Sequence, residues 1–575
     1  MILHALVERY EDLAKQGKIA KPGWGPAKVS YALSLSQDGE LLDVVGLPPI
    51  ETQQGKRTVS RPQEMQVPEP VKRSSGVAAN FLCDTSSYFL GMDNKGKPAR
   101  TKECFQAAKN LHEKVLEQVD SPVATAILRF FHYWATEGCE THPALVEKAE
   151  DVKAGSNLIF RVDGVFAQDD PEIARAWQAV YEEKEGDTAT CLVTGEEAHI
   201  ARLHPSIKGV RGAQSSGATL VGFNSDSLCS YEKKQGENAP VGEYAAFAYG
   251  AALNALLADR EHTQLLGDMT LVFWAKGGES AYQSFFGAML GKNEDEMTDS
   301  SLKAAMTSLA KGETTKWAGV EINPATPFYI LGLSPNAARL SVRFFLQNSF
   351  GAIAQRMKAH QERLEIARPA YDRHEELPFW ALIRETVNQK SRDKKASPVM
   401  EGELVRAVLT DGKYSATLLN GVMLRIRAEK EVTRGRAAII KAYYLKNKHK
   451  DCPREVLTVA LNESKHTPYL LGRAFSVLEA IQQSANPGIN TTIKDKYFNS
   501  ASATPATIFP ILISLTQHHL RKLEKGLHIH YEKELTAILG EIADFPKRLT
   551  LPEQGAFQLG YYHQTQKRYE KKKED

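Results

Sequence analysis

Between His204 and Tyr244 the chain places six Gly, six Ser, two Gln, two Asn, Arg211 and the Lys233-Lys234 pair around one short apolar run, Ala218 to Phe223. Ser, Gln and Asn supply hydrogen-bond donors and acceptors without fixed charge, and Gly lets a backbone approach a ligand closely. A segment so poor in apolar residues buries little and costs much entropy to order. This composition points to a polar recognition surface. The simpler alternative is a long loop in which Asn224 and Asn238 cap turns.

Catalytic readings of the same residues are weaker. Ala213-Gln214-Ser215-Ser216-Gly217 is close to a nucleophile elbow, which would make the chain a hydrolase acting through Ser215. That elbow needs a strand before the Ser and a helix after it, whereas here a Gly-rich loop precedes and a strand-like run follows. The run from Gly287 to Asn293 is one spacer short of a phosphate loop and ends in Asn where a hydroxyl would hold magnesium. It reads better as a capped helix end before the acids Glu294 to Glu296. Six scattered Cys form no CxxC pair and the His residues form no HExxH, so neither a metal nor a cofactor is expected. The chain is expected to be a binding protein and not an enzyme.

The elements that must carry these residues divide into two regimes. Residues 1–346 mix helical and strand patterns, with hairpin signals at Asp38-Gly39 and at Ser334 to Asn336. Strands are expected at Lys28 to Ser36, Asn157 to Phe166, Thr190 to Thr194, Ala218 to Phe223 and Met269 to Ala275. Pro48 to Ser75, with five Pro and the pairs Lys56-Arg57 and Lys72-Arg73, reads as a mobile basic loop. Residues 347–455 read as a helical connecting region and 456–575 as a separate bundle, with Lys446 to Pro453 as the break. The fold class is therefore α+β: a mixed N-terminal α+β part with antiparallel hairpins, followed by an all-helical C-terminal bundle.

Bulk properties narrow the function. The net charge of +2 over 575 residues excludes a uniformly basic coat, so any phosphate binding must come from local patches. One such patch lies between Arg425 and Glu455, with ten Lys/Arg against four Asp/Glu. A solvated helix face is its ordinary explanation; Tyr443-Tyr444 among the cations would also suit a single-strand groove. The absence of a long apolar run and of a signal-like N-terminus, with thiols expected reduced, implies a cytoplasmic protein without membrane contact.

HPSIKGVRGAQSSGATLVGFN and SYEKKQGENAPVGE, together with GWGPAKVSYALSL near the start and LLGRAFSVLEAIQ, SASATPATIFP and LGYYHQTQ near the end, resemble the large subunit of the type I-C CRISPR Cascade complex. The likeness runs in order through nearly the whole chain; where the family commonly has Ser-Tyr-Gly, this chain has Ser230-Tyr231-Glu232.

The resemblance implies a non-catalytic subunit of an RNA-guided antiviral surveillance complex. It would bind the guide RNA complex beside the backbone subunits and the 5′-handle-binding subunit, and read a protospacer-adjacent motif in double-stranded DNA. It would then promote local opening, help the small subunits hold the displaced single strand, and recruit a trans-acting helicase-nuclease. Gln214, Ser215, Ser216, Gly217, Asn224 and Asn238 would then read the motif, with Lys72, Arg73, Lys208, Arg211, Lys233 and Lys234 on phosphates. Arg434, Arg436, Lys441, Tyr443, Tyr444 and Lys446 would hold the displaced strand. Resembling systems make their small subunit from an internal start; Met423 is the last Met here, and a non-AUG start at Val456 or Val459 fits the expected boundary better.

Overall fold

The structure is a computed structural model that describes every residue except 55–56, 72–75, 183–187, 224, 278, 292–299, 373, 393–395 and 570–575. The chain forms two compact units: residues 1–205 with 221–253, and residues 206–220 with 254–575.

In the first unit, α1 (Ile2–Lys15) buries Leu6, Tyr10 and Leu13 at helical spacing. β1 (Trp24–Leu35) turns into β2 (Leu41–Gly46) across Asp38-Gly39, as the sequence predicts. The expected basic loop after it is largely sheet. β3 (Ile50–Gln54) pairs with β4 (Arg57–Arg61), and β5 (Gln63–Pro68) pairs with the first half of β1. The reason is geometric: β2 covers only Tyr31 to Leu35, so β1 offers a free edge, and Met65 and Val67 alternate inward between polar neighbours. β6 (Cys83–Thr85), α2 (Ser86–Phe89), α3 (Pro98–Leu116), α4 (Pro122–Tyr133) and α5 (Ala149–Lys153) follow. β7 (Asn157–Val162) then enters parallel to β1, with β8 (Val165–Phe166) on its outer edge. Leu158 and Phe160 join the core under the helices while Ile159 joins Val29 and Ala32 on the other face. After α6 (Pro171–Glu182), the expected strand at Thr190 to Thr194 is instead a small hairpin of β9 (Thr188–Thr190) and β10 (Glu197–His199). The Ala-rich α7 (Glu243–Ala258) has its first turns in this unit and its last turn in the other.

The second unit holds a sheet in the order β11 (Ser206–Ile207), β12 (Ala218–Thr219), β18 (Arg339–Ser349), β17 (Pro327–Asn336), β14 (Met269–Ala275), β13 (Thr263–Leu266). The expected strand Ala218 to Phe223 shrinks to two residues, since β12 meets β18 only at Thr219 and Arg339. The β17–β18 strands pair through Asn336 and Arg339, so the turn falls on Ala337-Ala338 and not on Ser334 to Asn336. Every residue of β14 is buried, because helices cover one face and Trp274 stacks on Tyr329, centroids 5.1 Å apart, on the other. Helices α8 (Ser280–Met289) and α9 (Ser300–Ala310) and the β15–β16 hairpin (Thr315–Trp317, Val320–Ile322) precede β17.

From α10 (Phe350–Leu364) onward the unit is helical. It continues through α11 (Phe379–Arg384), α12 (Pro398–Leu409), α13 (Ala416–Glu429), α14 (Arg434–Asn447), α15 (Thr467–Ala485), α16 (Ile493–Ala503), α17 (Pro505–Leu520), α18 (Lys525–Leu539) and α19 (Leu551–Tyr569). The expected break at Lys446 to Pro453 is a packed turn: His449 and Cys452 bridge, and Cys452 is buried. One apolar core runs from Leu266 to Tyr562, so the last helices share it with α10 to α14.

The C-terminal motifs explain themselves in α15 and α19. A methyl group on Gly472 would strike the Phe557 carbonyl oxygen, and one on Gly560 would strike that of Tyr469. At this close approach Tyr469 Oη meets His563 Nδ1 at 2.9 Å, Tyr561 Oη donates to Glu479 Oε2 at 2.7 Å, and Arg473 Nε donates to Gln564 Oε1 at 3.0 Å.

Candidate nucleic-acid interface

The loop Lys208 to Gly217 lies in the second unit, fixed by its backbone. Gly209, Gly212 and Gly217 all take the left-handed conformation (φ +89°, +81° and +99°), which other residues adopt at a cost. The Lys208 N–H donates to Asn254 Oδ1 at 2.8 Å and the Arg211 N–H to Thr270 Oγ1 at 3.2 Å. The Gly217 N–H closes a turn on the Gln214 carbonyl at 2.9 Å, and the Thr219 N–H reaches the Ala338 carbonyl at 3.1 Å. The side chains are left over. Lys208, Arg211, Gln214, Ser215 and Ser216 are exposed, and among the described residues none of these five side chains makes a hydrogen bond or ion pair within the protein. After Ser215 and Ser216 the backbone enters β12, a strand, where a nucleophile elbow would begin a helix.

The rest of the polar stretch belongs to the first unit, since the chain passes from one unit to the other at residues 220–221. Here Asn238 acts as a clamp on its own loop. Its Oδ1 accepts from the Ser230 N–H at 2.9 Å, and its Nδ2 donates to the carbonyls of Lys233 at 3.1 Å and Gln235 at 3.0 Å. All of its strong hydrogen-bonding directions but one acceptor lobe are thus spent on local backbone. Lys233 and Lys234 are exposed, as a phosphate role requires. Tyr231, which the sequence reading passed over, is 94% exposed. Its only sequence signal is an aromatic ring among small and polar residues; its exposure is a tertiary fact. Asn224, Lys72 and Arg73 lie outside the described residues.

The basic run on α14 is neither a solvated face nor an open groove. Arg434, Arg436, Lys441 and Tyr444 are buried. Arg436 pairs with Glu429 and with Glu385 at 3.3 Å, and Arg434 donates to Asp372 Oδ2 at 2.8 Å and to the His374 carbonyl at 2.6 Å. Lys441 donates to the Arg363 carbonyl at 3.0 Å, near the C-terminus of α10. Burial pulls its ammonium down to about 8. These cations stitch α14 into the core, and in this arrangement a DNA strand cannot reach them. Tyr443 and Lys446 stay half-buried, Lys446 paired with Asp411, while Lys448 and Lys450 are exposed. A basic count along the chain cannot separate these cases, because Asp372 and Glu385, which pair with Arg434 and Arg436, come from other segments, and only Glu429 lies within the run.

No described group of His, Cys, Asp and Glu side chains is arranged to hold a metal ion, and no described helix is long and apolar enough to cross a membrane.

Comparison with known proteins gives one family. The family model described as CRISPR-associated protein (Cas_Csd1) matches residues 6–569, nearly the whole chain. No curated protein matches. The match takes in both units, the loop at Lys208 to Gly217, the Asn238 clamp and the α15–α19 pair alike; the chain belongs to the CRISPR-associated Csd1 family, the family of the type I-C large subunit.

Proposed function

We propose that this chain is the non-catalytic large subunit of an RNA-guided surveillance complex and that the loop Lys208 to Gly217 inspects double-stranded DNA for a short protospacer-adjacent motif. One observation carries the reading: a backbone pinned at Lys208, Arg211, Gly217 and Thr219 presents Gln214, Ser215 and Ser216 to solvent with their hydrogen-bonding capacity unspent. Uncharged donors and acceptors on a rigid scaffold suit base edges, and the neighbouring Lys208 and Arg211 suit phosphates. Base pairing to the guide would read the remaining sequence, which is consistent with a net charge of only +2. Family membership supports a place beside backbone subunits, a 5′-handle-binding subunit and small subunits, and recruitment of a helicase-nuclease once the duplex has opened. Contacts to the displaced strand along α14 fall to Tyr443 and Lys446 and to the exposed Lys448 and Lys450 beyond it.

The test is binding of motif-bearing and scrambled duplexes to the complex purified with its guide RNA. Gln214→Ala should lower the preference for the motif by about 1–3 kcal/mol. Replacing Lys208 and Arg211 by Gln should weaken both duplexes alike and flatten the salt dependence. An unmodified complex that binds both duplexes equally would overturn the reading.

A further inference from the structure

A cleft of about 760 Å³ opens within the first unit, between the loop that leads into β1 and the face of α6 that carries Pro171, Ala174 and Gln178. Its walls are fixed. Tyr10 Oη donates to the Ala20 carbonyl at 2.9 Å, and Trp177 Nε1 donates to the Gly23 carbonyl at 2.8 Å. Gly23 is left-handed (φ +81°), and a methyl group there would strike the Tyr181 ring. Opposite, the Asp170 carboxylate accepts from the N–H groups of Glu172 and Ile173 at 2.9 and 3.1 Å and from Ser121 Oγ at 2.8 Å, which anchors the start of α6. A gap between two walls held this firmly is a built feature and not slack in a loop.

Gln168 lines this cleft from the 3₁₀ turn Ala167–Asp169. It is 5% exposed, and among the described residues neither its Nε2 nor its Oε1 has a hydrogen-bond partner. A buried amide left unpaired costs about 1–3 kcal/mol, so such a group in a folded protein calls for a partner that completes it. No hydrogen bond holds the side chain where it lies, so turning it into the cleft breaks none. Trp24 is half-buried on the same cleft and Gln66 is exposed on it, and neither the Trp24 indole N–H nor the Gln66 amide has a partner among the described residues.

The lining is close to neutral. Arg175 pairs with Glu172, and the two charges left over, Lys21 and Asp169, have opposite signs. A polyanion finds no net attraction here. Amides that each offer a donor and an acceptor, set beside an indole and the rings of Pro22 and Pro171, match an extended peptide instead. Its backbone N–H and C=O pair with the amides, and its small apolar or Pro side chains pack on the rings.

We propose that this cleft binds an extended, uncharged peptide segment of another polypeptide in the effector complex, and that Gln168 turns into the cleft to pair with the backbone of that segment. Membership of the Csd1 family implies companion subunits, and this pairing does not depend on DNA reading at Lys208 to Gly217.

The experiment places a photo-crosslinking residue, Gln66→p-benzoylphenylalanine, in the complex purified with its guide RNA, and identifies the cross-linked fragments by mass spectrometry. The expected product joins the position of Gln66 to a peptide of another protein subunit. Adding Gln168→Leu should lower its yield roughly fivefold or more. In the full-length chain purified alone, Gln168→Leu should melt at the parental temperature or above, because it removes a buried unpaired amide and nearly keeps the volume. A lower melting temperature overturns the proposal, since the amide then already has its partner, such as a buried water, inside the chain. An unchanged cross-link in the Gln168→Leu complex overturns it too, as does cross-linking to nucleic acid alone or to nothing.

Discussion

Gly472 of α15 lies directly against the Phe557 carbonyl of α19, with no room for a methyl group between them. Gly560 of α19 meets the Tyr469 carbonyl in the same way, so two glycines on opposite helices set one close crossing. The hydroxyl and amide pairs along it, Tyr469 with His563 and Arg473 with Gln564, depend on that spacing. Gly472→Ala should therefore destabilise the second unit by about 1–3 kcal/mol or more, although Ala is the better helix former. Thermal or urea unfolding checks it; unchanged stability would mean that the helices can part without cost.

Burial drives three histidines to the neutral form. His112 is pushed down to about 4, and His360 and His563 to about 3. Each unfolded imidazole takes up a proton below about 6.5, while the folded one does not until its own lower value. Stability should therefore be fully present above about pH 6.5 and fall as pH drops toward 4, by roughly 1.4 kcal/mol per pH unit for each histidine. His360→Leu should lower stability at pH 7.5, since His360 Nδ1 meets Tyr414 Oη at 2.6 Å, but give a flatter decline in acid. An equal slope in both proteins would contradict it.

The cations of α14 should separate by partner. Arg436→Met leaves the half-buried Glu385 without its cation and Glu429 with Arg425 alone, and should cost about 3–5 kcal/mol. Lys441→Met removes an ammonium that burial already disfavours and whose described hydrogen bonds go to carbonyls, so the loss should be small or reversed. Unfolding by urea at pH 7 compares the two.

Glu232 holds φ +60° where the resembling family commonly has Gly. Glu232→Gly should stabilise the first unit by about 1 kcal/mol, since the left-handed penalty goes and only part of it returns as unfolded-state entropy. A lower melting temperature would show that the Glu232 side chain contributes something its exposed position does not suggest.

An internally started product should depend on where it begins. Tyr444 of α14 covers Gly555 of α19, and Tyr562 Oη donates to the Ala367 carbonyl at 2.6 Å. A product from Val456 lacks α14 and leaves that side of α19 bare, whereas one beginning at Met423 carries α14 with it. The fragment from Met423 should give a cooperative melt by circular dichroism at a higher temperature than the one from Val456. The reverse order would show that α14 is dispensable to the bundle.

Local pattern determined a good deal of this protein. Hydrophobic period marked most helices and the long strands, because one face of each must be buried and that face is written in the spacing of Leu158 and Phe160 or of Leu478 and Ile481. The Gly-Ser-Gln composition marked the loop at Lys208 to Gly217, since the left-handed turns there need Gly at fixed positions. Tertiary structure alone decided the rest. β5 looked like loop because its inward residues are only Met65 and Val67 among Gln and Glu, and what makes it a strand is the free edge of β1. Arg434 and Arg436 looked like surface because two of their neutralising partners, Asp372 and Glu385, are about fifty to sixty residues away in the chain, and the nearer Glu429 meets Arg436 only through the turn between α13 and α14. Asn238 looked like a reader and is a clamp, while Tyr231, inconspicuous in the sequence, is an exposed ring on the loop it clamps. Exposure and partnership are set by which segments meet in space, and no residue's own neighbours in the chain encode that.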